Sequence, residues 1–493
     1  MPRKIPTKTT KSVKTLRKSK VIKEPNPSSK EKEFKIDIQG MFSDTLDVIE
    51  KRQGAETTSL EVTPPMSTGL LSIDLIMGGG IRPSMITGAG GEQSAKTTLA
   101  LTLMGAAIKA NIPLIAFWDY EGSTKNSKPY VHSILKGMGV NLTMDQVFGK
   151  RDKDGKWVTT PRVRYRAETI LERFYDWLGE TLRELPDKRY VEGKWWLIFD
   201  EKNKKHKAMV GEHINTVMTR KYGNGLWVEA PDDKIQGLIF VDSYTAMNPE
   251  VKDEESISNQ LSVKASAFSK QLERVKGRMS QKMVTVYGLN HLRANPMAMF
   301  GPKESEKGGL ALQQFSDVRF RQTSRSLSAA PFSPKAGKKT YDEQEPSAET
   351  DGFDTYRYVM VKAHKNKLWT PQREVLIRIW VEDATGTARG LDPMFDTAQY
   401  LKLTGQLIGQ RKGFKLDLAG LGKASKPVPW AVMKKWVLGD KETMSKISTA
   451  LGYKPMSIRA FCFKQMKDGV GEQLYVDTKG KAVKSNEDGD NDE

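Results

Sequence analysis

Residues Gly90–Leu99 read GGEQSAKTTL. They fit the phosphate-binding pattern G-x-x-x-x-G-K-[ST] at every fixed position but one, where Ala95 replaces the second glycine. Gly90 and Gly91 supply a flexible entry. The backbone N–H groups of Glu92, Gln93, Ser94, Ala95, Lys96 and Thr97 can then wrap an anion at a helix N-terminus, with Thr98 following in the first turn. In that chemistry Lys96 neutralises the β- and γ-phosphates of ATP and the Thr97 hydroxyl binds Mg²⁺. A methyl at position 95 is tolerated on a right-handed backbone and is costly where φ must be positive. The loop's donors are backbone groups, so Ala95 reads as tuning the loop rather than abolishing it.

The flanks give the loop its setting. RPSMITGAGG (82–91) is a short strand feeding it, and AKTTLALTLMGAAIKA (95–110) is a helix with no breaker. IPLIAFWDYE (112–121) is a buried strand with two terminal carboxylates, of which Glu121 can orient an attacking water. QGLIFVDS (236–243) is a second apolar strand, and its Asp242 can hold the same Mg²⁺ through water. A helix around 258–280, a strand KMVTVYGLNH (282–291) and paired strands YRYVMVKAHKNK (356–367) and REVLIRIWVE (373–382) follow. Alternating strands and helices of this kind imply an α/β fold with a mostly parallel central sheet.

With 493 residues the chain is long enough for two or three domains, and its net charge of +19 favours a polyanionic partner such as nucleic acid. The single cysteine, Cys462, excludes an intramolecular disulfide and sits between two phenylalanines as a small buried hydrophobe would. There is no apolar run long enough to span a bilayer and no secretory leader, so a soluble, cytoplasmic protein without a membrane partner is expected. Residues 1–35 hold twelve Lys and Arg against three Glu and should be a disordered arm, either an electrostatic tether or a solubilising tail. SDTLDVIEKRQG (43–54) reads as a short capped helix within a segment spanning 36–67.

Two polar insertions interrupt the core expected over 68–405. One, about 143–234, holds Trp157, Trp177, Trp195, Trp196 and Trp227, with a helix in AETILERFYDWLGETLREL (167–185) and a hairpin in KWWLIFDEKNKKHKAMV (194–210). Its tryptophans either form the core of a subdomain or add a stacking surface for nucleic acid. The other insertion, about 323–352, reads as a loop. Residues 406–484 read as a small separate module and 485–493 as an acidic tail.

Taken in order, several of these segments resemble a RecA-type recombinase, in a divergent and bacteriophage-like form. SDTLDVIEKRQG is similar to the helix that docks on the neighbouring protomer, and MSTGLLSIDLIMGGGI (66–81) to the lead-in before the phosphate loop. GLNHLRANPMAMFGPKESEKGGLALQQFSDVRF (288–320) resembles the second DNA-binding loop with its flanking strand and helix. VKAHKNK (361–367) resembles the strand whose lysines reach ATP across a subunit interface.

The resemblance implies a RecA-like ATPase core with Lys96, Thr97 and Asp242 as phosphate and magnesium residues and Glu121 as the water-orienting carboxylate. Tyr130 would stack on adenine. His291 stands where the family has a glutamine that senses the γ-phosphate, or is a strand-end histidine with no such role. Lys365 and Lys367 would act between subunits. DNA contacts would come from Arg293, Lys303 and Lys307 on phosphates and Met299 and Phe300 between bases, with Gly301, Gly308 and Gly309 as flexible points. A first DNA loop would lie near 250–262.

The implied partners are single-stranded DNA, homologous duplex DNA and further copies in a helical filament, with a loader or single-strand-binding protein as an additional partner and the nucleoid as the place of action. Two other readings stand beside this one: a ring helicase on the same fold, and a DNA-binding scaffold whose ATPase has decayed.

Overall fold

The phosphate-loop strand lies in the middle of a sheet of eleven strands in the computed structural model, which describes residues 63–250, 257–294, 304–306, 309–325, 350–351, 354–382, 390–410, 413–418, 425–438 and 457–469. We number nine of the strands: β1 Met85–Gly90, β2 Leu114–Asp119, β3 Arg164–Ala167, β4 Gly237–Asp242, β5 Val284–Ala294, β6 Val318–Arg325, β7 Asp354–Asn366, β8 Glu374–Glu382 and β9 Gly390–Leu391. Their order is β9-β8-β7-β6-β1-β5-β4-β2-β3. From β6 to β3 every pairing is parallel, and β7, β8 and β9 form an antiparallel wing. The sheet is therefore the mostly parallel α/β sheet that the alternation of segments implies.

Both faces of the parallel part are covered, so its strands read as near-continuous apolar runs. Alternate residues divide between two cores. Ile115, Phe117, Leu238 and Phe240 face one, with helices α1 (Leu71–Met77), α2 (Lys96–Lys109) and α5 (Pro393–Leu403). Ala116, Trp118, Ile239 and Val241 face the other, with α3 (Leu171–Glu184) and α4 (Ile257–Gln281).

The stretch 143–234 does not fold as one inserted unit. Arg164–Ala167 extends the central sheet as its outermost parallel strand, pairing with β2. The apolar face of α3, carrying Phe174, Tyr175 and Leu178, packs on Trp118 and Phe268 in the second core. What stands apart is a three-stranded antiparallel sheet, Asp187–Val191, Lys194–Phe199 and Leu226–Glu229, with its own small core of Trp196, Ile198, Met218 and Trp227.

The hairpin read in 194–210 is corrected. Its turn is Glu192–Gly193, both at positive φ, one strand earlier than expected. The second half, Lys204–Val210, is a helix because the Asn203 side chain accepts from the Lys205 and His206 N–H groups and caps it. The tryptophans divide as well. Trp177 packs against the second core, whereas Trp157 is 41% exposed with the Arg151 guanidinium 4.0 Å above its ring.

The module expected over 406–484 is not separate in its described part. Phe414, Leu416, Met433, Val437, Ile458 and Cys462 all join the first core. Arg459, on the helix Ile458–Lys467, donates to Asp396 at 2.8 Å and to the Gly69 carbonyl at 2.7 Å. Cys462 is fully buried, as a small hydrophobe.

The ends of the 323–352 stretch are strand, since β6 runs to Arg325 and Thr350–Asp351 pairs with the start of β7. Residues 257–262 of the expected first DNA loop belong to α4. The basic arm, the docking segment up to residue 62, the acidic tail and the loop residues Met299, Phe300, Gly301, Lys303, Lys307 and Gly308 lie outside the described residues. Among the described residues no helix is long and apolar enough to cross a membrane.

Candidate nucleotide site

The carboxyl ends of β1, β2, β4 and β5 converge on a cavity of about 550 Å³ above the phosphate loop. Ligands of open α/β sheets bind at this end of the strands. Gly90 closes β1 where a Cβ would lie 2.2 Å from Ser94 Oγ and 2.6 Å from the Gln322 carbonyl, so only glycine fits. Ser94 Oγ in turn donates to the Gly91 carbonyl at 2.8 Å and holds the loop's curl.

Ala95 has φ 61° and ψ 28°. It is therefore in the left-handed region, where its methyl costs about 1–2 kcal/mol relative to the right-handed backbone. The condition under which the missing glycine matters is met. Gln93 is also left-handed, at φ 57°.

Lys96 is buried, and its ammonium donates to the carbonyls of Gly90 at 3.0 Å and Gly91 at 2.6 Å. Burial holds it below the ordinary lysine range. Thr97 Oγ1 donates to Asp242 Oδ2 at 3.0 Å. Burial, with the Glu121 charge adding to it, pushes the Asp242 carboxyl up to about 7. Thr97 and Asp242 thus present hard oxygen donors side by side. Among the described residues no group of three or more acidic, His or Cys side chains forms a metal cage. The Thr97–Asp242 pair suits Mg²⁺, which takes one or two protein oxygens and completes its shell with water and phosphate.

Glu121 is positioned from three strands. Its backbone N–H donates to the Asp242 carbonyl at 3.2 Å. Buried Asp119 accepts from the Gly122 and Thr124 N–H groups and so fixes the turn around Glu121. The Glu121 Oε1 accepts from Ser243 Oγ at 2.6 Å and from His291 Nε2 at 2.9 Å. A carboxylate only accepts, so Nε2 carries the hydrogen. The His291 hydrogen bond, followed by that of Ser243, holds the Glu121 carboxyl below its usual range against the opposing effect of burial.

His291 is anchored behind this contact. Its N–H donates to Thr245 Oγ1 at 3.1 Å and to Asn290 Oδ1 at 3.0 Å, and Thr245 Oγ1 donates to the same Asn290 oxygen at 2.8 Å. Ser243, Thr245 and Asn290 are parts of the site that the sequence reading missed. The only local signal for them is their place beside strand-end residues already singled out.

Tyr130 lines the cavity, with its phenol hydrogen-bonded to Thr98. Arg357, Ile379 and Trp380, from β7 and β8, form the wall away from the loop and were also missed.

Lys365 and Lys367 do not reach the cavity. Lys365 donates to the carbonyls of Gln313 and Gln314, at the end of the helix Gly309–Phe315, and Lys367 is exposed. Gly309 opens that helix. Arg293 lies in β5, whose end pairs antiparallel with Glu304–Glu306. The candidate DNA loop therefore leaves and re-enters through a short ladder, tied to the sheet by Glu306 and Arg319 at 2.6 Å.

A family model described as the RecA N-terminal domain matches residues 232–338, the stretch from β4 past β6 that carries Asp242, Asn290 and His291. Protein RecA of Mesoplasma florum is 26% identical over 215 residues, covering 43% of this chain and 55% of its own length. Protein RecA of Borrelia hermsii is 31% identical over 109 residues, 19% of this chain and 31% of its own. That of Mycoplasma mycoides subsp. mycoides is 36% identical over 83 residues, 17% and 24% respectively. The chain thus spans about half the length of the first of these relatives and less than a third of the others. With the parallel sheet, the loop at its centre and the matched strands beside it, the chain is similar to RecA-type proteins over this part of its length.

Proposed function

We propose that this protein is a DNA-dependent ATPase that forms filaments on single-stranded DNA and pairs it with homologous duplex. The observation that carries the reading is the convergence of Lys96, the Thr97–Asp242 pair and the Ser243–Glu121–His291 triplet on one cavity at the carboxyl end of a parallel sheet. When bound, MgATP supplies the phosphoanhydride and a cation that draws charge from it. Lys96 leaves the Gly90 and Gly91 carbonyls for the β- and γ-phosphates. Thr97 and Asp242 would hold the cation. Both hydrogen bonds to Glu121 land on Oε1, so Oε2 is the oxygen that accepts from the attacking water and orients it. His291 joins this carboxylate to the strand that leads into the candidate DNA loop, which gives DNA a direct route to the reacting water.

Lys365 and Lys367 lie off the cavity of their own protomer, as residues that serve a neighbour's site would. Arg293 and the loop beyond it are the proposed DNA contacts.

The left-handed Ala95 favours a second reading, nucleotide binding without turnover on a DNA-binding scaffold. ATP hydrolysis with and without single-stranded DNA separates the two. DNA-stimulated turnover that falls at least about a hundredfold in Lys96→Ala and in Glu121→Gln is expected. Glu121→Gln should still bind ATP. DNA binding with no turnover in the wild type would establish the scaffold instead.

A further inference from the structure

The Arg357 side chain lines the nucleotide cavity and, among the described residues, makes no hydrogen bond, ion pair or ring contact. A cation without a protein partner facing a cavity is a binding group in want of a ligand. Its position is set by the sheet. Gly90, the last residue of β1, is level with Gln322 of β6, which is level with Val361 of β7. Arg357 lies four residues further in the same direction, so β7 runs on past the phosphate loop and carries this side chain above it. Two strand spacings, about 10 Å, separate β7 from β1 sideways.

Ile379 faces Arg357 across the β7–β8 ladder and, with Trp380, completes an apolar wall. The carboxylates that line the cavity, Glu92, Glu121 and Asp242, belong to the loop half and not to this wall.

We infer that Arg357 is the nucleoside-side contact of the site, its planar guanidinium capping the base of the bound nucleotide. The inference rests on the nucleotide reading above. Guanidinium has five donors and no acceptor, so it can stack on a base and donate to ring nitrogens or sugar oxygens. Lysine, a compact point charge, can do neither in the same geometry. Position favours the base over the triphosphate, because Lys96 and the loop amides already surround the place for phosphate at the other end of the cavity.

The test is calorimetric titration of the full-length protein with ATP, ADP and inorganic tripolyphosphate. In Arg357→Ala, and equally in Arg357→Lys, the Kd for ATP and for ADP should rise about tenfold or more. The Kd for tripolyphosphate should match the wild type, and so should the thermal midpoint. Unchanged ATP affinity would overturn the assignment. A parallel loss for tripolyphosphate would move Arg357 to the phosphates and overturn it too, and full rescue by lysine would exclude the planar contact. Wild-type protein that binds none of the three would sink the nucleotide reading itself, and the role of Arg357 with it.

Discussion

Ala95 is the residue at which the phosphate loop departs from its pattern, and its backbone takes the conformation that glycine would favour. The loop keeps this shape because its surroundings fix it. Lys96 bonds back to Gly90 and Gly91, Ser94 closes on Gly91, and the Ala95 methyl packs against the first core. Ala95→Gly should therefore raise stability by about 1 kcal/mol, read as an upward shift of the urea midpoint at constant slope. An unchanged or lower midpoint would mean that the methyl's packing offsets the backbone cost. Chain identity alone could present the two possible backbones of Ala95 but not choose between them, since φ at this position is set by residues the loop meets only after folding.

Among the elements, the short helix α1 depends on two buried acids. Its first N–H groups, on Leu71 and Ser72, donate to Asp396 of α5 at 2.9 and 3.0 Å. Within the helix, Asp74 accepts from Ser67 Oγ, the Thr68 N–H and Thr68 Oγ1 at 2.6, 2.8 and 2.6 Å. Burial, with the Asp396 charge adding to it, pushes the Asp74 carboxyl up to about 7 from 3.8. The folded protein thus holds a proton that the unfolded chain releases near pH 4, so this group's contribution to stability declines as pH rises from about 4 to 7. The stability gap between wild type and Asp74→Asn should shrink between pH 5 and pH 8, on the order of 2 kcal/mol, in urea titrations at several pH values. A gap that stays constant over this range would show Asp74 to be ionised throughout. At this scale β1, α2, β2, β4, β5, β7 and β8 were legible in the sequence, because each has an apolar run or alternation bounded by its own stop. The helix over 204–210 was not, because a single cap at Asn203 outweighs the strand-like run before it.

For the molecule as a whole, the cavity gathers Lys96, Thr97, Glu121, Asp242 and His291, the proposed phosphate and water-orienting residues, but not Lys365 and Lys367. If those lysines complete a neighbour's site, Lys96→Ala and the double variant Lys365→Ala, Lys367→Ala should each lack DNA-stimulated hydrolysis. Mixed together they should recover part of it, because some interfaces then join an intact loop to an intact lysine pair. No recovery in the mixture, at concentrations that coat the DNA, would place the whole reaction within one protomer.

The features readable from neighbouring residues are local: the phosphate loop, the strands that flank it, and the carboxylates at their ends. Each is encoded within about ten consecutive residues by spacing, alternation or a terminator. Tertiary structure alone decided the rest. It made β3 and α3 part of the core, joined the C-terminal helices to the first core, brought Arg357 to the cavity, and set Ser243 and His291 on the same oxygen of Glu121. These outcomes rest on contacts between distant positions, such as Leu71 with Asp396, 325 residues apart. No local pattern carries them, because which distant surfaces meet is settled by the packing of the whole sheet and the helices on its two faces.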